Sequence, residues 1–581
     1  MEEEIKKLIK DALGNLAIEV GNFTIEHPED LKNGDYSTNV ALVIAKSVER
    51  NPQELAEKIV AEIIRLNIDK NIEKVEVAGA GFINFYLSRK FFSGSVEEIL
   101  NIKDFGTNKI FASKKIMVEY TDPNPFKPFH IGHLMTNAIG ESIARILEYS
   151  DADVSRANYQ GDVGLHVAKA FYSMRKRGMP KDMDAPVSVL AQYIGESYAK
   201  GNEAYENDIK AKKEIEVLNK KIYDKNDEEI NKVYNWGFKV TMEAFEDLYR
   251  ILGTKFDFYF LESEVSLFGE QIVKDNIGRV FEKSDGAVVF KAEKHNPKLH
   301  TRVFITSEGL PTYEAKELGL TEEKFKVKPD MDLSLVVTAN EQADYMKVVD
   351  KALSLIHPEY ENKMLHITHG MMRLLARSRA TAEELTSIKM SSRKGNVITG
   401  EKLIRDTIAL IVEKMKDRSW NQEEKNKVAE NVGVAAIKYS ILRSKAGNDI
   451  VYNVEESISV EGDSGPYLQY SFARANSVIE KAQKENILPD FEKVPDEVSE
   501  VEKLLYRFPE VVSRSASLYE PHHIATYLIE LARAFNNFYG HTLIVDKKDI
   551  TSSYKIALTY AFSFVMKTGL HLLGIEAPKR M

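Results

Sequence analysis

The stretch from residue 114 to residue 160 constrains the fold of this chain more than any other. It opens with KKIMVEY, a short apolar run typical of a buried strand, and continues through the proline-rich TDPNPFKPF into a helix. The apolar residues of that helix recur at helical spacing: Leu134, Ile139, Ile143, Ile146 and Leu147. Another strand pattern, VSRANYQ, follows at 154–160. A strand, a helix and a strand in this order predict a parallel sheet flanked by helices.

The patterns on either side of this unit differ from it. Residues 1–105 alternate helical and extended segments, with one helical stretch predicted over 40–66 and a hairpin around Gly79 and Gly81. Further strand patterns between residues 255 and 340 are FDFYF, GAVVF, RVFIT and LSLVVTA, and nearly everything after about residue 400 is helical. With 581 residues, and roughly 100–200 residues in a usual domain, we expect three or four domains.

Composition excludes several classes of protein. The chain contains no cysteine, so it has no disulfides, thiolate zinc sites, iron–sulfur clusters or cysteine nucleophiles. Its N-terminus, MEEEIKKLIK, is charged where a signal peptide is apolar, and the apolar stretch at 557–575 is interrupted by Lys567 and His571. We therefore expect a cytoplasmic protein without a membrane span.

The charge balance is less informative. A net charge of −10 disfavours a nucleic-acid-binding protein at first sight. Residues 531–581, however, carry seven Lys and Arg against three Asp and Glu, so individual surfaces can be basic. The total charge therefore does not exclude a nucleic-acid partner.

Two histidines stand where the first helix of the α/β unit begins, in the segment FHIGHL at 129–134. A helix N-terminus offers unpaired N–H groups and partial positive charge, so His130 and His133 suit a polyphosphate bound there. Gly132, without a side chain, leaves space for a flat ring such as adenine. The alternatives are two surface histidines without a function and, less favoured, a zinc site, for which no third ligand lies nearby.

A basic segment, KMSSRKGN, lies far downstream at 389–396. Three cations within six residues, Lys389, Arg393 and Lys394, suit a polyphosphate. Taken alone, the segment is more typical of a solvated basic loop than of a phosphate-binding loop.

Together these segments resemble the HIGH and KMSKS signatures of class I aminoacyl-tRNA synthetases, and further segments narrow the resemblance to arginyl-tRNA synthetases over almost the whole chain. The segments similar to that family are VEYTDPNPFKPFHIGHL, NYQGDVGLH, LPTYEAKEL, SGPYLQYSFARANS, EPHHIATYLIELARAFNNFY and LLGIEAPKRM, with GDYSTNVAL and AGAGFINFYLS near the N-terminus. Four residues differ from the family pattern: Val163 replaces a tryptophan, His166 a glutamine, Glu317 an aspartate and Ser392 the second lysine of KMSKS. In addition, Gly79 stands where some members have an asparagine that contacts tRNA.

The resemblance implies a multidomain α/β fold with a Rossmann-like parallel-sheet catalytic domain, an N-terminal α+β tRNA-binding domain and a C-terminal all-α anticodon-binding domain. The implied boundaries are 1–105 for the N-terminal domain, 113–400 for the catalytic domain with a helical insertion at about 180–300, 401–462 for a helical connector and 463–581 for the anticodon-binding domain.

The implied activity is that of an arginine–tRNA ligase, which activates L-arginine with ATP and transfers it to the 2′-hydroxyl of the terminal adenosine of tRNA(Arg). ATP with Mg²⁺ is implied, zinc is not, and the family is usually monomeric. Alternatives are another class I synthetase, such as those for cysteine or glutamine, a small-molecule nucleotidylyltransferase, or a catalytically silent tRNA-binding paralogue.

The resemblance also assigns residues to the three ligands. The residues implied for catalysis and phosphate binding are Lys127, His130, His133, Lys389, Arg393 and Lys394. Gly132, Met390 and Ser391 are implied as further ATP contacts. The residues implied for arginine binding are Glu119, Asn124, Asp162, His166, Tyr313, Glu317 and Gln342. The carboxylates among them suit this substrate because a carboxylate pairs bidentately with a guanidinium. tRNA binding falls on Phe82, Asn84, Tyr470, Tyr539 and Met581. Lys127 is the candidate to replace the charge missing at Ser392.

Overall fold

The computed structural model describes residues 1–19, 21–66, 70–377, 385–388 and 399–581. Its first elements are α1 (Glu2–Asn15), β1 (Ile25–Glu26), β2 (Tyr36–Thr38), α2 (Val40–Ala45), α3 (Pro52–Arg65), β3 (Ile72–Ala78), β4 (Phe82–Leu87) and α4 (Arg89–Asn101). The four strands form an antiparallel sheet in the order β1-β2-β4-β3, and β3 and β4 are the predicted hairpin.

The single helical stretch predicted over 40–66 is two helices, α2 and α3. Asn51 precedes Pro52 and has extended backbone angles, φ −65° and ψ 130°, because a proline disfavours the helical conformation in the residue before it. The Asn51 side chain then accepts hydrogen bonds from the backbone N–H groups of Gln53 and Glu54 and caps α3. Pro52 therefore begins the second helix.

The next region contains most of the α/β elements. They are β5 (Lys115–Glu119), α5 (Ile131–Tyr149), β6 (Asp153–Gln160), α6 (Leu165–Arg177), α7 (Val187–Asn207), α8 (Ile209–Asp224), α9 (Glu228–Leu252), β7 (Phe258–Leu261), α10 (Glu262–Asp275), β8 (Glu282–Ser284), β9 (Ala287–Phe290), β10 (Arg302–Ile305), α11 (Tyr313–Val327), β11 (Leu333–Ala339), α12 (Ala343–Ile356), β12 (Met364–His369), β13 (Met372–Arg377) and β14 (Leu385–Ile388).

Five of these strands form the parallel sheet that the sequence predicts, in the order β12-β11-β5-β6-β7. The chain runs from β5 outward to β6 and β7, and then returns to β11 and β12 on the other side of β5. Ligands of open parallel sheets bind beyond the carboxyl ends of the strands, where the strand order reverses. The topology therefore places a ligand site at the end of β5.

Helices α6 to α9 lie between β6 and β7 in the chain and enclose an apolar cluster of their own, which includes Phe171, Ile194 and Ile215. β8, β9 and β10 form a small antiparallel sheet. The helical insertion predicted at about 180–300 therefore contains β7, a strand of the central sheet.

The remaining elements are α13 (Gly400–Lys414), α14 (Gln422–Leu442), β15 (Ile450–Tyr452), α15 (Val454–Ser457), α16 (Gly465–Lys484), α17 (Glu500–Leu505), α18 (Phe508–Leu518), α19 (His522–His541) and α20 (Ser552–Leu572). They are helical as predicted, apart from β15, which pairs with β13. Among the described residues, no helix combines the length and the apolar character that crossing a membrane requires.

The chain divides into two compact units. The first comprises Met1–Gly106, Arg474–Pro509 and Glu530–Met566. Within it, Arg89 of α4 donates hydrogen bonds to the buried carboxylate of Glu502 at 2.5 Å and to the hydroxyl of Tyr554 at 2.7 Å. Residues from the start and the end of the chain thus share an interior in this unit.

The second unit comprises Thr107–Ala473, Glu510–Ile529 and Lys567–Met581, and contains the parallel sheet. Lys438 of α14 is fully buried there, and its ammonium group donates to the backbone oxygens of Leu252 at 2.6 Å and Gly574 at 2.9 Å. Burial lowers the pKa of Lys438 to about 7. The side chain therefore joins the end of α9 to the segment that follows α20.

We predict that this lysine makes stability depend on pH. Its pKa is depressed in the folded protein, so between pH 7 and pH 10 the unfolded chain binds one proton more than the folded chain, and the folded state gains about 1.4 kcal/mol per pH unit. In Lys438→Met this gain is absent. The difference in melting temperature between the wild type and the variant should therefore widen in favour of the wild type as the pH rises, as measured by calorimetry.

Lys425→Met is the matched control, because Lys425 lies on the same helix and also donates to a backbone oxygen, that of Lys416, but at the surface. A difference between wild type and Lys438→Met that stays constant from pH 7 to pH 10 would contradict the prediction.

Candidate active site

The end of β5 turns sharply into the loop that leads to α5. Thr121 and Asp122 both have positive φ, 78° and 45°, a conformation that costs a non-glycine residue energy unless its surroundings hold it. Two side chains of α5 hold it here: Thr136 Oγ1 accepts from the backbone N–H of Thr121 at 3.2 Å, and Asn137 donates to the Thr121 hydroxyl at 3.0 Å. Helix α5 thus fixes the direction of the chain at the carboxyl edge of the sheet.

Tyr120 strengthens this attachment. Its hydroxyl donates to Glu141 of α5 at 2.5 Å, and its ring lies against Gly140, where a Cβ atom would come within 2.3 Å of the ring. Glu141 is also paired with Arg145 at 2.7 Å and with Arg156 at 3.1 Å. A buried ion-pair network therefore anchors the residue next to Glu119.

His130 and His133 cap the N-terminus of α5 reciprocally. His130 Nδ1 accepts from the backbone N–H of His133 at 3.3 Å, and His133 Nδ1 accepts from the backbone N–H of His130 at 3.2 Å. The two rings are stacked, with their centroids 3.4 Å apart. Because each Nδ1 is an acceptor, the proton of each neutral ring is on Nε2, which is a hydrogen-bond donor.

Both histidines are uncharged at neutral pH. Burial, with the positive charge of Lys127, lowers the pKa of His130 to about 4, and burial with the neighbouring His130 holds the pKa of His133 well below its usual value. The pKa of Lys127 is itself lowered by burial and by Lys169. The N-terminus of α5 therefore presents two neutral Nε2–H donors beside a lysine.

Gly132 serves this arrangement directly. A Cβ atom at this position would come within 2.9 Å of the His130 ring, so glycine is needed for the ring to fold back over the helix. The contact of Gly132 with adenine stays a prediction.

Acidic side chains gather beside the end of β5. Glu119, the last residue of β5, is buried and forms an ion pair with Lys324 of α11, which is also buried. Asp122 interacts electrostatically with Glu119, Lys324 and Glu317, and Tyr345 of α12 donates to Glu317 at 3.4 Å. Three carboxylates thus share one lysine.

Burial and the closeness of these carboxylates raise the pKa of two of them. Burial and the charge of Glu119 raise the pKa of Glu317 to about 7, and the same two causes raise the pKa of Asp122 well above its usual value. Carboxylates whose mutual repulsion favours protonation form a site in which a bound cation is strongly favoured.

Asn124, His166 and Asp162 lie along the same edge. Asn124 Oδ1 packs so closely against Gly161 that a Cβ there would be 2.2 Å away, and His166 Nε2 donates to the Gly161 oxygen at 2.7 Å. Burial and Lys127 lower the pKa of His166 to about 3. Asp162 is occupied by protein donors, since its two oxygens accept from the Tyr234 hydroxyl at 2.8 Å and the Ser263 N–H at 2.8 Å.

The other predicted arginine contacts, Tyr313 and Gln342, are at the surface of this edge. Tyr313 begins α11 and is 70% exposed. Gln342 precedes α12 and is half-buried. The predicted phosphate-binding residues Lys389, Met390, Ser391, Arg393 and Lys394, like Ser392, lie outside the described residues.

The predicted tRNA contacts have varied surroundings. In the first unit, Phe82 is 43% exposed, Tyr539 is 41% exposed under the Arg474 guanidinium, and Asn84 is buried and accepts from the Ser37 hydroxyl at 2.7 Å. In the second unit, Tyr470 is half-buried and Met581 packs against an apolar cluster of α13 and α14. The exposed Phe82 and Tyr539 are therefore better placed for contact with RNA than Asn84 and Met581.

Sequence reasoning missed Asp122, Lys324, Tyr345 and His369. His369 ends β12 and donates from Nδ1 to the Gly370 oxygen at 2.7 Å, and its charge, when present, would lower the pKa of His130. Asp122 and His369 could have been predicted from the sequence as site residues, because Asp122 follows and His369 ends a strand of the parallel sheet at its carboxyl edge. Lys324 belongs to α11 and Tyr345 to α12, and the sequence does not reveal how these two helices pack beside the sheet.

Comparison with known proteins agrees with this geometry. The family model described as tRNA synthetases class I (R), catalytic domain, matches residues 95–454. The chain belongs to the arginyl-tRNA synthetase family. The arginyl-tRNA synthetase N-terminal domain model matches residues 3–87, and the DALR anticodon binding domain model matches residues 468–581.

Individual relatives extend over the full chain. An arginine–tRNA ligase of Borreliella burgdorferi is 30% identical and covers all of both chains, and one of Lactobacillus johnsonii is 30% identical over 96% of each. The structure of Thermus thermophilus arginyl-tRNA synthetase matches the fold over both whole chains with a TM-score of 0.80 at 22% identity. The predicted family and fold class are confirmed.

His130 has two separate hydrogen-bonding groups: Nδ1 caps the helix, and Nε2–H is available as a donor. Substitutions should distinguish the contributions of these two groups. In His130→Asn the side-chain oxygen can still accept the His133 N–H, so the melting temperature should stay near that of the wild type, whereas His130→Ala should lose about 1 kcal/mol of stability. Both variants lack the Nε2–H donor. Both should therefore show a similar loss, about 10²-fold or more, in the rate of ATP–pyrophosphate exchange. Full activity in His130→Asn would show that the ring serves only the cap.

Proposed function

We propose that this protein is an arginine–tRNA ligase, which activates L-arginine with ATP to arginyl-adenylate and pyrophosphate and then transfers arginine to tRNA(Arg). One observation carries the proposal beyond family membership: a pocket of three carboxylates lies at the end of the strand that leads to the histidine-capped helix. A cationic amino acid in that pocket would extend its carboxylate toward a triphosphate at the helix N-terminus.

In the first step the arginine carboxylate attacks the α-phosphorus of ATP, and pyrophosphate leaves. The Nε2–H groups of His130 and His133 would donate to phosphate oxygens as charge develops on them, with Lys127 beside them. Such positioned donors need no change of protonation during the reaction, which fits the lowered pKa of both rings. Two neutral imidazoles and a lysine suit phosphate oxygens better than a metal ion, so Mg²⁺ would come with the triphosphate.

Lys389, Arg393 and Lys394 would close over the β- and γ-phosphates. Their assignment, like that of Met390 and Ser391 to ATP, comes from the sequence resemblance. Ser392 removes one lysine from the family signature, and Lys127, whose charge acts on both His130 and His133, would supply that charge.

The arginine side chain would bind to Glu119 and Glu317, with Asn124 and Gln342 at the carboxyl edge of the sheet and Tyr313 covering the entrance. His166 and Asp162 would act indirectly, by holding Gly161 and the start of α10 in place. A planar guanidinium offers five N–H donors, and paired carboxylates satisfy them better than any neutral set.

In the second step the arginyl group moves to the 2′-hydroxyl of the terminal adenosine of tRNA(Arg). The N-terminal and DALR domain matches support tRNA as the partner. We propose contacts through Phe82, Asn84, Tyr470, Tyr539 and Met581, a monomer as the active form, and the cytoplasm as its location. The domain boundaries proposed are those predicted from the sequence.

ATP–pyrophosphate exchange tests the amino-acid specificity. Assayed with each of the twenty amino acids, with and without tRNA(Arg), the protein should catalyse exchange with arginine alone. A requirement for tRNA is compatible with the proposal, because members of this family commonly need tRNA for activation. Exchange with cysteine or glutamine would favour another class I synthetase, and none with any amino acid in the presence of tRNA would favour a catalytically silent paralogue.

Glu317 gives the arginine step a predictable pH dependence. Its pKa of about 7 in the unliganded protein means that arginine, which needs the carboxylate, must displace a proton at lower pH. The KM for arginine should therefore rise as the pH falls below about 7. Glu317→Gln should raise this KM about tenfold or more and displace one proton fewer, while the KM for ATP stays within twofold. Equal losses for arginine and ATP would contradict the assignment of Glu317 to arginine.

A further inference from the structure

A cluster of metal-binding side chains lies at the corner between α18 and α19, and no residue of the candidate active site belongs to it. Glu520, His522 and His523 each offer one ligand atom, and these three atoms all lie within 4.8 Å of one another. Among the residues that the structure describes, no other group of three or more histidine and acidic side chains meets this condition. The proposed function gives these three residues no role.

The backbone of the corner brings the three side chains to one point. Tyr519 has a φ of 56°, which turns the chain back toward α18. The backbone N–H of Glu520 then donates to the Ser515 oxygen at 3.0 Å, and the Ser515 hydroxyl donates to the Glu520 oxygen at 2.7 Å. The ring centroids of His522 and His523 are 4.1 Å apart. The corner therefore fixes the backbone of all three residues before any ligand binds.

Glu520 divides its two carboxylate oxygens between different partners. Oε1 pairs with the Lys445 ammonium group at 2.8 Å. Oε2 lies 3.0 Å from Nε2 of His523 and 3.8 Å from Nε2 of His522. A tetrahedral zinc ion with bonds of about 2.0–2.1 Å holds its ligand atoms about 3.3–3.4 Å apart, a separation that lies between these two distances. A small shift of one ring therefore suffices to place the three atoms around one ion.

The second ring nitrogen of His522 also needs an explanation. Its Nδ1 is buried and has no hydrogen-bond partner in the part of the chain that the structure describes. A buried polar atom without a partner is unfavourable in either tautomer of the ring, and such atoms are rare in folded proteins. A bond from Nε2 of the same ring to a metal ion would offset that cost.

The chemistry of the cluster selects the class of ion. Mg²⁺ and Ca²⁺ prefer oxygen ligands, whereas imidazole nitrogens bind zinc and its neighbours in the first transition row. Positive charge surrounds the cluster, because Lys445 and Arg514 lie beside it and α19 begins there. Only an ion that bonds strongly to imidazole can enter such a site. The same positive charge weakens the binding, so we expect a micromolar Kd.

We propose that Glu520, His522 and His523 form a zinc-binding site, in which Oε2 of the carboxylate and Nε2 of each imidazole are ligands and water takes the fourth position. The ion replaces the proton in the hydrogen bond between His523 and Glu520, and the neutral ring then has its proton on Nδ1. Bound zinc fastens the first turn of α19 to the corner that follows α18.

Zinc titration of the full chain tests the proposal. The protein is first dialysed against a chelator, and ATP is left out because it binds metal ions itself. The wild type should bind one Zn²⁺ with a micromolar Kd in isothermal titration calorimetry, and its melting temperature should rise with the zinc concentration. Mg²⁺ should cause neither effect. His523→Asn and Glu520→Gln should each weaken zinc binding about tenfold or more.

His357→Asn is the matched control. His357 is also hydrogen-bonded to carboxylates, but its two ring nitrogens face different ones, Glu322 and Glu359, each at 3.2 Å. Its substitution should leave the zinc Kd within twofold of the wild type. The proposal would be overturned if the wild type bound no zinc at micromolar concentrations, or if His523→Asn and Glu520→Gln bound it as tightly as the wild type.

Cobalt gives a readout that does not depend on the stability of these variants. Co²⁺ in a tetrahedral site absorbs visible light far more strongly than the hydrated ion, so the wild type should develop an absorption band that zinc abolishes by displacement. His130→Asn, which changes the other closely spaced histidine pair, should keep this band. A band that is lost in His130→Asn and kept in His523→Asn would place the ion at α5 and overturn the proposal.

Discussion

Helix α5 makes the contacts on which both halves of the site depend. Its N-terminus is closed by the reciprocal His130–His133 hydrogen bonds, and its next turns hold the positive-φ residues at the end of β5. Fifteen of its 19 residues are buried, so its position is fixed by packing on all sides. Because one buried helix carries the two histidines and also fixes the end of β5 beside the acidic pocket, the distance between the proposed phosphate and arginine subsites would depend on few degrees of freedom, as catalysis by positioning requires.

The acidic pocket is costly for the unliganded protein and favourable for its ligand. Burial and mutual repulsion raise the pKa of Glu317 and Asp122, which means that the folded chain destabilises its own carboxylates. A cation that enters recovers that energy, so part of the binding strength for the arginine side chain that we propose to bind there would be stored in the unliganded fold. Lys324 limits the cost by neutralising Glu119 from a fully buried position on α11. The pocket is thus not neutral, and a neutral pocket would select weakly for a cation. It also does not carry three uncompensated negative charges, which would destabilise the folded chain strongly.

The sequence predicts those parts of the structure that local patterns determine. β5, the following loop and α5 form one contiguous segment, so the sequence pattern predicted His130 and His133 at the start of the helix, and the family resemblance singled out Glu119 at the end of the strand. Their roles toward ATP and arginine stay predictions. The break between α2 and α3 was missed although Asn51-Pro52 signals it, because the apolar periodicity continued across it. The partner of Glu119 could not be found in this way: Lys324 is about 200 positions away in the chain, and only the packing of α11 beside the sheet brings the two together. For the same reason, the capping role of the two imidazoles requires coordinates, since a sequence specifies neither tautomer nor ring orientation.

The end of the chain is part of the catalytic unit as well. Ser142 and Arg145, on the C-terminal half of α5, bind the backbone oxygens of Leu572 and His571 at 2.8 Å and 3.1 Å, and Lys438 holds Gly574. Gly574 has a φ of 66°, and a Cβ there would come within 2.7 Å of the Lys438 ammonium, so glycine is required for this contact. The packing of Met581 on α13 and α14 continues the attachment. A segment that matches the DALR anticodon binding domain model therefore also supports the helix that carries His130 and His133, and substitutions near residue 574 would reach these histidines through α5.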